Sequence, residues 1–343
     1  MMYTIDGSLG EGGGQILRSA VSVSALTSKS VRIYNIRAGR DNPGIRPQHQ
    51  AAIKACAGLC DARVEGLRVG ADEIVFYPRE LESGRFNVDV GTAGSISLIL
   101  QALLLPSNCA PDTVMFRLKG GTDVMWSPPI DYLRFVYLPL LHKFGCRANI
   151  KLMRRGFYPK GGGLVYMEVE PSHLEPIELR ERGEIKYFGA LSYAHESLSV
   201  NSVAERQLKA ARKTLFNAGY ENKTVFDKEY VSSPSVGSGI LLYAVCEHSI
   251  LGASSLGDRG KRSEQVGEEA ASNLVVELGL NAALDSHMAD QLIPFIALAG
   301  GEVSVSKVTN HCRTNIDVVR GFGFDIRLKG NSIISEGGLR SRF

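Results

Sequence analysis

A glycine-rich loop near the start of the chain has the residue types of a phosphate-binding site, but an acid lies within it. Residues 10–15 read "GEGGGQ", between the short apolar stretch "MMYTID" and the longer run "ILRSAVSVSAL". A glycine turn between a strand and a helix exposes backbone N–H groups that attract anions. The nucleotide fingerprints fail: a dinucleotide motif begun at Gly10 meets Gln15 in place of its last glycine, and a P-loop begun at Gly7 lacks its lysine.

Glu11 adds a second chemical property to this loop. A carboxylate near phosphates is favourable mainly when a divalent cation lies between them. We therefore expect the glycines to let a backbone or a polyphosphate approach closely, with Glu11 available to a metal. The alternative is that the glycines only allow a tight turn and bind no ligand.

Two further segments combine cations with glycine. "IRAGRDNPGIRPQH" places Arg37, Arg40 and Arg46 in one loop, and the fork of an arginine binds phosphate oxygens in a bidentate manner. "RRGFYPKGGG", residues 154–163, mixes cations, aromatic residues and glycines, a composition suited to a nucleotide or an RNA end. The alternative is that these basic clusters are ordinary solvated surface without a ligand.

Histidines are the candidates for covalent or acid–base chemistry. The chain has seven: His49, His142, His173, His195, His248, His287 and His311. His49, His287 and His311 lie in or beside the unusual loops, and chemistry alone does not choose among them. The segment "SHMADQL" adds Asp290 and Gln291, which could hydrogen-bond a ribose or a base.

Length and composition limit the class of protein. A chain of 343 residues predicts two or more domains, and 44% hydrophobic with 22% charged residues is ordinary for a soluble protein. The longest apolar runs are far shorter than the ~20 residues that span a membrane, and no secretory signal is apparent. Six cysteines without a CxxC pair favour buried thiols in a reducing cytosol. We expect a cytoplasmic protein, and a net charge of +3 does not by itself indicate nucleic-acid binding.

An internal repeat predicts how the loops are positioned. Three segments share a short strand ending in Asp, a run of small residues and an apolar helix: "IDGSLGEGGGQILRSAVSVSAL", "VDVGTAGSISLILQALLL" and "ALDSHMADQLIPFIALAGG". Each is followed by a second strand–loop–helix unit and then by two extended stretches. Each repeat is therefore predicted to be βαβαββ, two helices on one face of a four-stranded sheet. Pro47 suits the first turn of its helix, and Ser127 with Pro128 suits a cap and first turn.

The repeats predict an α/β fold, of the α+β type within each repeat, with a pseudo-threefold axis around which equivalent loops could converge. Triplication without a shared site is the alternative. Residues 184–279, between the second and third repeats, are predicted to form a smaller inserted α/β domain. Residues 1–183 and 280–343 would form the large three-repeat catalytic domain.

The motifs together resemble the RNA 3'-terminal-phosphate cyclase family. The resemblance rests on "DGSLGEGGGQILRSA", "IRAGRDNPGIRPQH", "GTAGSISLILQ", "GGTD…SPPIDY", "RGFYPKGGG", "HMADQL" and "HCRTNI", in this order over nearly the whole chain. It implies three repeats similar to the C-terminal domain of translation initiation factor 3, with a smaller inserted domain. It also implies an ATP-dependent reaction in which a histidine becomes adenylated, the AMP passes to an RNA 3'-phosphate, and the 2'-hydroxyl then closes a 2',3'-cyclic phosphate.

The resemblance also implies roles for individual residues. His311 matches the nucleophile, and Glu11 matches an acid near the metal and the triphosphate, with Asp131 near the same pocket. The expected ATP contacts are Gln101, His287, Met288, Ala289, Asp290 and Gln291. The expected contacts of the RNA 3'-phosphate are Arg18, Arg37, Arg40, Arg46 and Gln48. ATP and a divalent cation, Mg or Mn, would be required. RNA with a 3'-terminal phosphate would be the partner, with no membrane and no obligate protein partner.

Two other functions remain as alternatives at this point. A related branch of the superfamily acts as a non-catalytic ribosome-assembly factor, but such a member should lack the histidine that this chain has at His311. A carboxyvinyl transferase also uses such repeats, but it would not require these loops. Some family members have tyrosine in place of His287. Cys312 lies beside the expected nucleophile, so its oxidation would inhibit the reaction if the thiol were exposed.

Overall fold

A computed structural model describes residues 2–220 and 224–338 of the protein. It has mixed α/β architecture, which confirms the predicted fold class. The first unit is a four-stranded sheet of order β1-β2-β4-β3 in which β1 and β2 are parallel and the other neighbours antiparallel. Its elements are β1 (Tyr3–Asp6), α1 (Gly14–Thr27), β2 (Val31–Tyr34), α2 (Pro47–Leu59), β3 (Arg63–Glu65) and β4 (Ile74–Tyr77).

The second unit repeats this strand order, as β5-β6-β8-β7. Ser95 caps its first helix by accepting a hydrogen bond from the Leu98 N–H. Ser127 does not cap the second helix as predicted: Pro129 lies at the cap, and the Ser127 hydroxyl donates to the Val124 carbonyl instead. The elements are β5 (Gly84–Asp89), α3 (Ile96–Asn108), β6 (Val114–Gly120), α4 (Ile130–Tyr132), a π turn (Leu133–Tyr137), α5 (Leu138–Lys143), β7 (Arg147–Arg154) and β8 (Gly163–Glu170).

A short strand, β9 (Ile177–Leu179), is followed by a sheet of different order, β11-β10-β12-β13. The two helices that follow β10 and β13 pack on each other and, with this sheet, enclose a separate apolar cluster that includes Phe188 and Leu274. We call this sheet and its two helices the inserted unit. The elements are β10 (Ile185–His195), a 3-10 turn (Glu196–Asn201), α6 (Val203–Asn217), β11 (Thr224–Val231), β12 (Ser238–Cys246), β13 (Ile250–Leu256) and α7 (Ser263–Gly279).

The last unit has the strand order of the first two, but one strand comes from an unexpected part of the chain. The sequence predicts its first strand just before Asp285, and this prediction is wrong: Leu284 forms only an isolated bridge to Val305. Instead, β9 occupies the parallel edge next to β14, giving the order β15-β16-β14-β9. The elements are α8 (Ser286–Ala299), β14 (Gly301–Ser304), α9 (Asn310–Gly321), β15 (Ile326–Lys329) and β16 (Ser332–Ser335).

Helices of the three similar units meet in one continuous core. Helix α1 packs against α2, α3 and α9, and α8 packs against α9 and α3. Apolar side chains of all three units form a single buried cluster. This packing brings the first turns of α1, α2, α8 and α9 toward one region of the surface. Among the described residues, no helix is long and apolar enough to span a membrane.

Candidate active site

A cavity of about 1130 Å3 lies where these helix starts face the inserted unit. Its walls come from the glycine and arginine loops, from α3, and from the first turns of α8 and α9. Strand β13 and helix α7 of the inserted unit provide the opposite wall. Eleven residues predicted to belong to the site line this one cavity: Glu11, Arg18, Arg37, Arg40, Arg46, Gln48, Gln101, His287, Asp290, Gln291 and His311.

His311 is held against the glycine loop at the start of α9. Thr309 caps this helix by accepting a hydrogen bond from the Cys312 N–H. The imidazole Nε2 of His311 is 2.9 Å from Oε2 of Glu11. A Cβ on Gly13 would lie 3.6 Å from the His311 ring, and one on Gly10 would lie 2.0 Å from Oγ1 of Thr314. The glycines therefore allow the loop to lie directly against the helix that carries His311.

The surroundings of His311 favour its neutral form. Burial lowers its pKa, and the positive charges of Arg18 and Arg40 lower it further, while Glu11 opposes both effects. A neutral imidazole has a free lone pair on one ring nitrogen, which a nucleophile needs. The contacts of Glu11 with His311 and, at 3.9 Å, with Arg40 both use Oε2.

The arginines form a positive wall beside this pair. Burial lowers the pKa of Arg18 to about 10, so its guanidinium still carries a charge at neutral pH. Arg37 donates to the carbonyls of Asn42 and Gly44 and so also holds its own loop in shape. Four guanidinium groups in one cavity suit a ligand with several phosphate oxygens.

Two amides and a histidine complete this wall. Oε1 of Gln48 accepts from the Ser95 N–H, which leaves its amide N–H groups to a ligand. His49 is buried, and its Nδ1 accepts from the Arg46 N–H, so the ring proton is on Nε2. Burial, together with the neighbouring arginines, lowers the pKa of His49 to about 3. His49 is therefore a neutral hydrogen-bond donor in the cavity, a role that the sequence did not assign.

The first turn of α8 forms a polar wall that the capping residue orients. Asp285, which is fully buried, accepts from the N–H groups of His287 and Met288. Asp290 accepts from the amide of Gln15 at 2.8 Å, and burial raises the pKa of its carboxyl to about 7. Gln291 accepts from the Gln101 amide at 2.6 Å. This wall offers hydrogen-bonding groups rather than a concentrated charge.

Three of the predicted site residues do not line the cavity. Met288 and Ala289 face the core and are fully buried. Asp131 is also fully buried, and its carboxylate accepts from Arg155 at 2.5 Å and from Arg134 at 2.7 Å. Two arginines therefore pair with the Asp131 carboxylate, and Asp131 does not line the cavity although the neighbouring Tyr132 does.

The inserted unit contributes cavity residues that sequence motifs did not indicate. Ser254, Asn273 and Glu277 line the wall opposite the glycine loop. Glu277 also accepts from the hydroxyl of Ser286 at 2.5 Å and from its N–H at 3.2 Å, which fixes α7 to the start of α8. The sequence spacing of Ser254, Asn273 and Glu277 matches no binding motif, so only their position in the folded chain identifies them as cavity residues.

The cavity has carboxylates on its walls, with Glu11 on the side of the glycine loop. Among residues 2–220 and 224–338, no group of three or more His, Cys, Asp or Glu side chains could hold an ion by itself. Glu11 fits a cation of the magnesium type, which is commonly held by one or two carboxylates together with substrate phosphates and water. The Cys312 thiol is fully buried, and burial raises its pKa to about 12. The condition for its oxidation, an exposed thiol, is therefore not met.

A neutral histidine beside a glycine loop and several arginines defines an α/β protein suited to transfer of phosphorus-centred groups. Residues 9–328 match the family described as RNA 3'-terminal phosphate cyclase. Proteins named RNA 3'-terminal phosphate cyclase from Ignicoccus hospitalis, Pyrococcus furiosus and Methanococcoides burtonii are 49%, 47% and 44% identical to the chain. These alignments cover 94%, 94% and 96% of this chain and 92%, 93% and 96% of the relatives. The chain belongs to the RNA 3'-terminal phosphate cyclase family, and it is an enzyme.

Proposed function

We propose that the enzyme uses ATP to convert the 3'-terminal phosphate of an RNA into a 2',3'-cyclic phosphate. The observation that carries this proposal is the contact between His311 and Glu11 in a cavity lined by four arginines. The names of the relatives supply the RNA phosphate as the substrate class. A nucleophile next to a polyanion-binding wall supports a mechanism that passes through a covalent nucleotide.

In the first step, Nε2 of His311 attacks the α-phosphorus of ATP. Oε2 of Glu11, 2.9 Å from Nε2, can accept the Nε2 proton of the imidazolium form, so that the attacking imidazole is neutral, with its remaining proton on Nδ1 and a lone pair on Nε2. A P–N bond forms, the bond from the α-phosphorus to the bridging oxygen breaks, and pyrophosphate leaves with the electron pair. Arg18 and Arg40 stabilise the negative charge of the departing phosphates.

In the second step, an oxygen of the RNA 3'-phosphate attacks the same phosphorus atom. The P–N bond breaks, and the imidazole recovers its lone pair. In the third step, the 2'-hydroxyl attacks the phosphorus of the activated 3'-phosphate, gives up its proton to solvent and expels AMP. Gln48 and His49 can donate hydrogen bonds to the RNA phosphate during both steps, since each has a donor that no described residue accepts from and each lines the cavity.

ATP and a divalent cation have separate places in this proposal. His287, Asp290, Gln291 and Gln101 would hold the adenylate, since they form the polar wall next to His311. Glu11 would hold the cation, which would neutralise part of the charge on the phosphates when bound. Residues 184–279 would act as a separate domain that closes the cavity from the side of α7.

The experiment is to map the covalent adduct. The protein is incubated with ATP and magnesium, and the acid-labile AMP is located by peptide mass spectrometry. We expect it on His311, and we expect His311→Ala to abolish it. His173→Ala removes an exposed histidine outside the cavity and is the matched control. An unmodified protein that also transfers no AMP to a 3'-phosphorylated oligonucleotide would refute the proposal.

Glu11→Gln tests the acid separately from the nucleophile. This variant keeps the size of the side chain but cannot accept a proton or bind a cation as a carboxylate does. We expect slow adduct formation and a weaker dependence on magnesium concentration. An adduct that formed at the normal rate with normal metal dependence would remove Glu11 from the mechanism.

A further inference from the structure

An exposed tryptophan lies at the mouth of the cavity, where the proposed reaction does not use it. Trp126 is the only tryptophan in the chain, lines the cavity and is 93% exposed. Its φ of 65° is in the left-handed region, which is rare for a residue with a large side chain. The Ser127 hydroxyl donates to the Val124 carbonyl and holds this turn in shape. Unusual backbone of this kind is often retained at ligand-binding positions.

A second exposed aromatic residue belongs to the same surface. Tyr158 is 74% exposed, and the loop that carries it pairs with the loop of Trp126: Asp123 bridges Phe157, and the Thr122 N–H donates to the Gly156 carbonyl. Lys160 is exposed on that loop. We call Met125, Trp126, Tyr158 and Lys160 the aromatic rim.

The aromatic rim is continuous with the arginine wall of the cavity. Gln48 accepts from the Ser95 N–H, and Ser95 bridges Gly121 at the start of the Trp126 loop. On the other side of the rim, Gly161 lies so close to Ala93 that a Cβ on it would be 2.8 Å from the Ala93 Cα. One set of loops thus leads from the proposed phosphate-binding residues to the exposed aromatic side chains.

We propose that the aromatic rim binds the nucleotides of the substrate RNA that precede its 3' end, with Trp126 stacking on a base. This inference rests on the proposed function and extends it to the rest of the RNA chain. A single strand whose terminal phosphate lies among the arginines must leave the cavity, and the rim is a route built from their neighbouring loops. Aromatic side chains next to cations are the usual platform for single-stranded nucleic acid, because stacking accepts any base.

The charge of the rim favours a polyanion over an apolar partner. Lys160 follows Tyr158 two residues later and is exposed like it. Arg154 donates from its Nε to the Gly162 carbonyl at 2.9 Å, which places a second cation against the same loop. A protein partner with an apolar surface would meet these two charges at its edge. RNA phosphates would be attracted by them.

The fluorescence of Trp126 provides a direct test in the full-length protein, because no other tryptophan contributes. The protein is titrated with 3'-phosphorylated RNA of increasing length, and separately with ATP and magnesium. We expect quenching by RNA longer than a mononucleotide and little change with ATP. Quenching by ATP alone would overturn the proposal and assign Trp126 to the adenine of ATP.

Substitutions separate stacking from other effects. Trp126→Ala should weaken RNA binding about tenfold to a hundredfold and raise KM for RNA, with adduct formation from ATP unchanged. Trp126→Phe should recover part of the loss. Phe216→Ala removes an aromatic side chain that is 62% exposed on α6, outside the cavity lining, and is the matched control. Normal RNA binding by Trp126→Ala would refute the rim as a platform.

Salt dependence tests the cation of the rim. Lys160→Ala should reduce the slope of log binding constant against log salt concentration by about 0.7, the effect of losing one phosphate contact on a single strand. An unchanged slope would remove Lys160 from the RNA path. If the wild-type protein formed no AMP adduct yet showed RNA quenching, the proposed reaction would fail while the RNA-binding surface stood.

Discussion

Replacing Gly10 by alanine tests whether the glycine loop exists to admit the helix that carries His311. The residue has φ of 59°, and a new Cβ would lie 2.0 Å from Oγ1 of Thr314. That hydroxyl donates to the Asn310 carbonyl at 2.8 Å, so it cannot rotate away without losing a hydrogen bond in the first turn of α9. The substitution should therefore push α9, with His311, away from Glu11.

Two costs add in the expected loss of stability. A side chain in the left-handed region costs roughly 1–2 kcal/mol. Forcing a methyl group into a filled space costs roughly 1–3 kcal/mol more. Gly330→Ala separates the two costs, because Gly330 has φ of 60° and no atom of the described residues lies within 4 Å of the added Cβ. The difference between Gly10→Ala and Gly330→Ala in free energy of unfolding should be the steric cost alone.

A double-mutant cycle identifies the partner in the clash. Thr314→Ala removes Oγ1, so the variant with both Gly10→Ala and Thr314→Ala should recover the steric part but retain the backbone cost. We expect coupling of about 1–3 kcal/mol in urea denaturation. Adduct formation should fall about tenfold to a hundredfold in Gly10→Ala and recover in the double variant. Equal losses for Gly10→Ala and Gly330→Ala, with additive effects of Thr314→Ala, would refute close packing of the loop on α9.

Three other predictions concern buried groups. Burial raises the pKa of Asp290 from 3.8 to about 7, so its contribution to stability is fully present below about pH 4 and is lost as pH rises to 7. The free energy of unfolding should therefore fall by roughly 4 kcal/mol between about pH 4 and pH 8, and Asp290→Asn should abolish this fall in urea denaturation. Asp131→Asn should lower the free energy of unfolding by about 3 kcal/mol, because Arg155 loses a buried partner, while a Kd for ATP measured by calorimetry should not change. Cys312 should resist iodoacetamide in the native protein and react after unfolding, as mapped by mass spectrometry, because its pKa is about 12.

Local patterns were sufficient to predict most helices and the loops between them. Pro47 begins α2 as expected, since proline is well suited to a first helical turn. The glycine loop of residues 10–15, the arginine loop and the turns that carry His287 and His311 line one cavity, whereas residues 154–163 do not line it. Local patterns could not predict contacts between residues that are far apart in the sequence. Asp131 has the residue type of a ligand-binding acid, but its carboxylate pairs with Arg155, 24 residues later and directly after β7.

The prediction of the edge strand of the last unit was wrong for a similar reason. Residues before Asp285 have the form of a short strand, yet the place beside β14 belongs to Ile177–Leu179, which precedes the whole inserted unit. Gly301 permits this, because a Cβ there would lie 2.2 Å from the Ile177 carbonyl oxygen. Three residues are too few to produce a periodic signal, so only the pairing reveals the strand.

This strand assignment explains why the inserted unit forms a wall of the active site. The insertion interrupts the last unit between its first strand and its first helix, and that helix, α8, begins beside the cavity. Only residues 280–285 separate the end of α7 from α8, so α7 must lie next to the turn that carries His287. The carboxylate of Asp285 accepts from the Tyr132 hydroxyl and from the Gly252 N–H of β13, which joins three elements at that turn. An insertion at a loop far from these helix starts would have left the cavity open on this side.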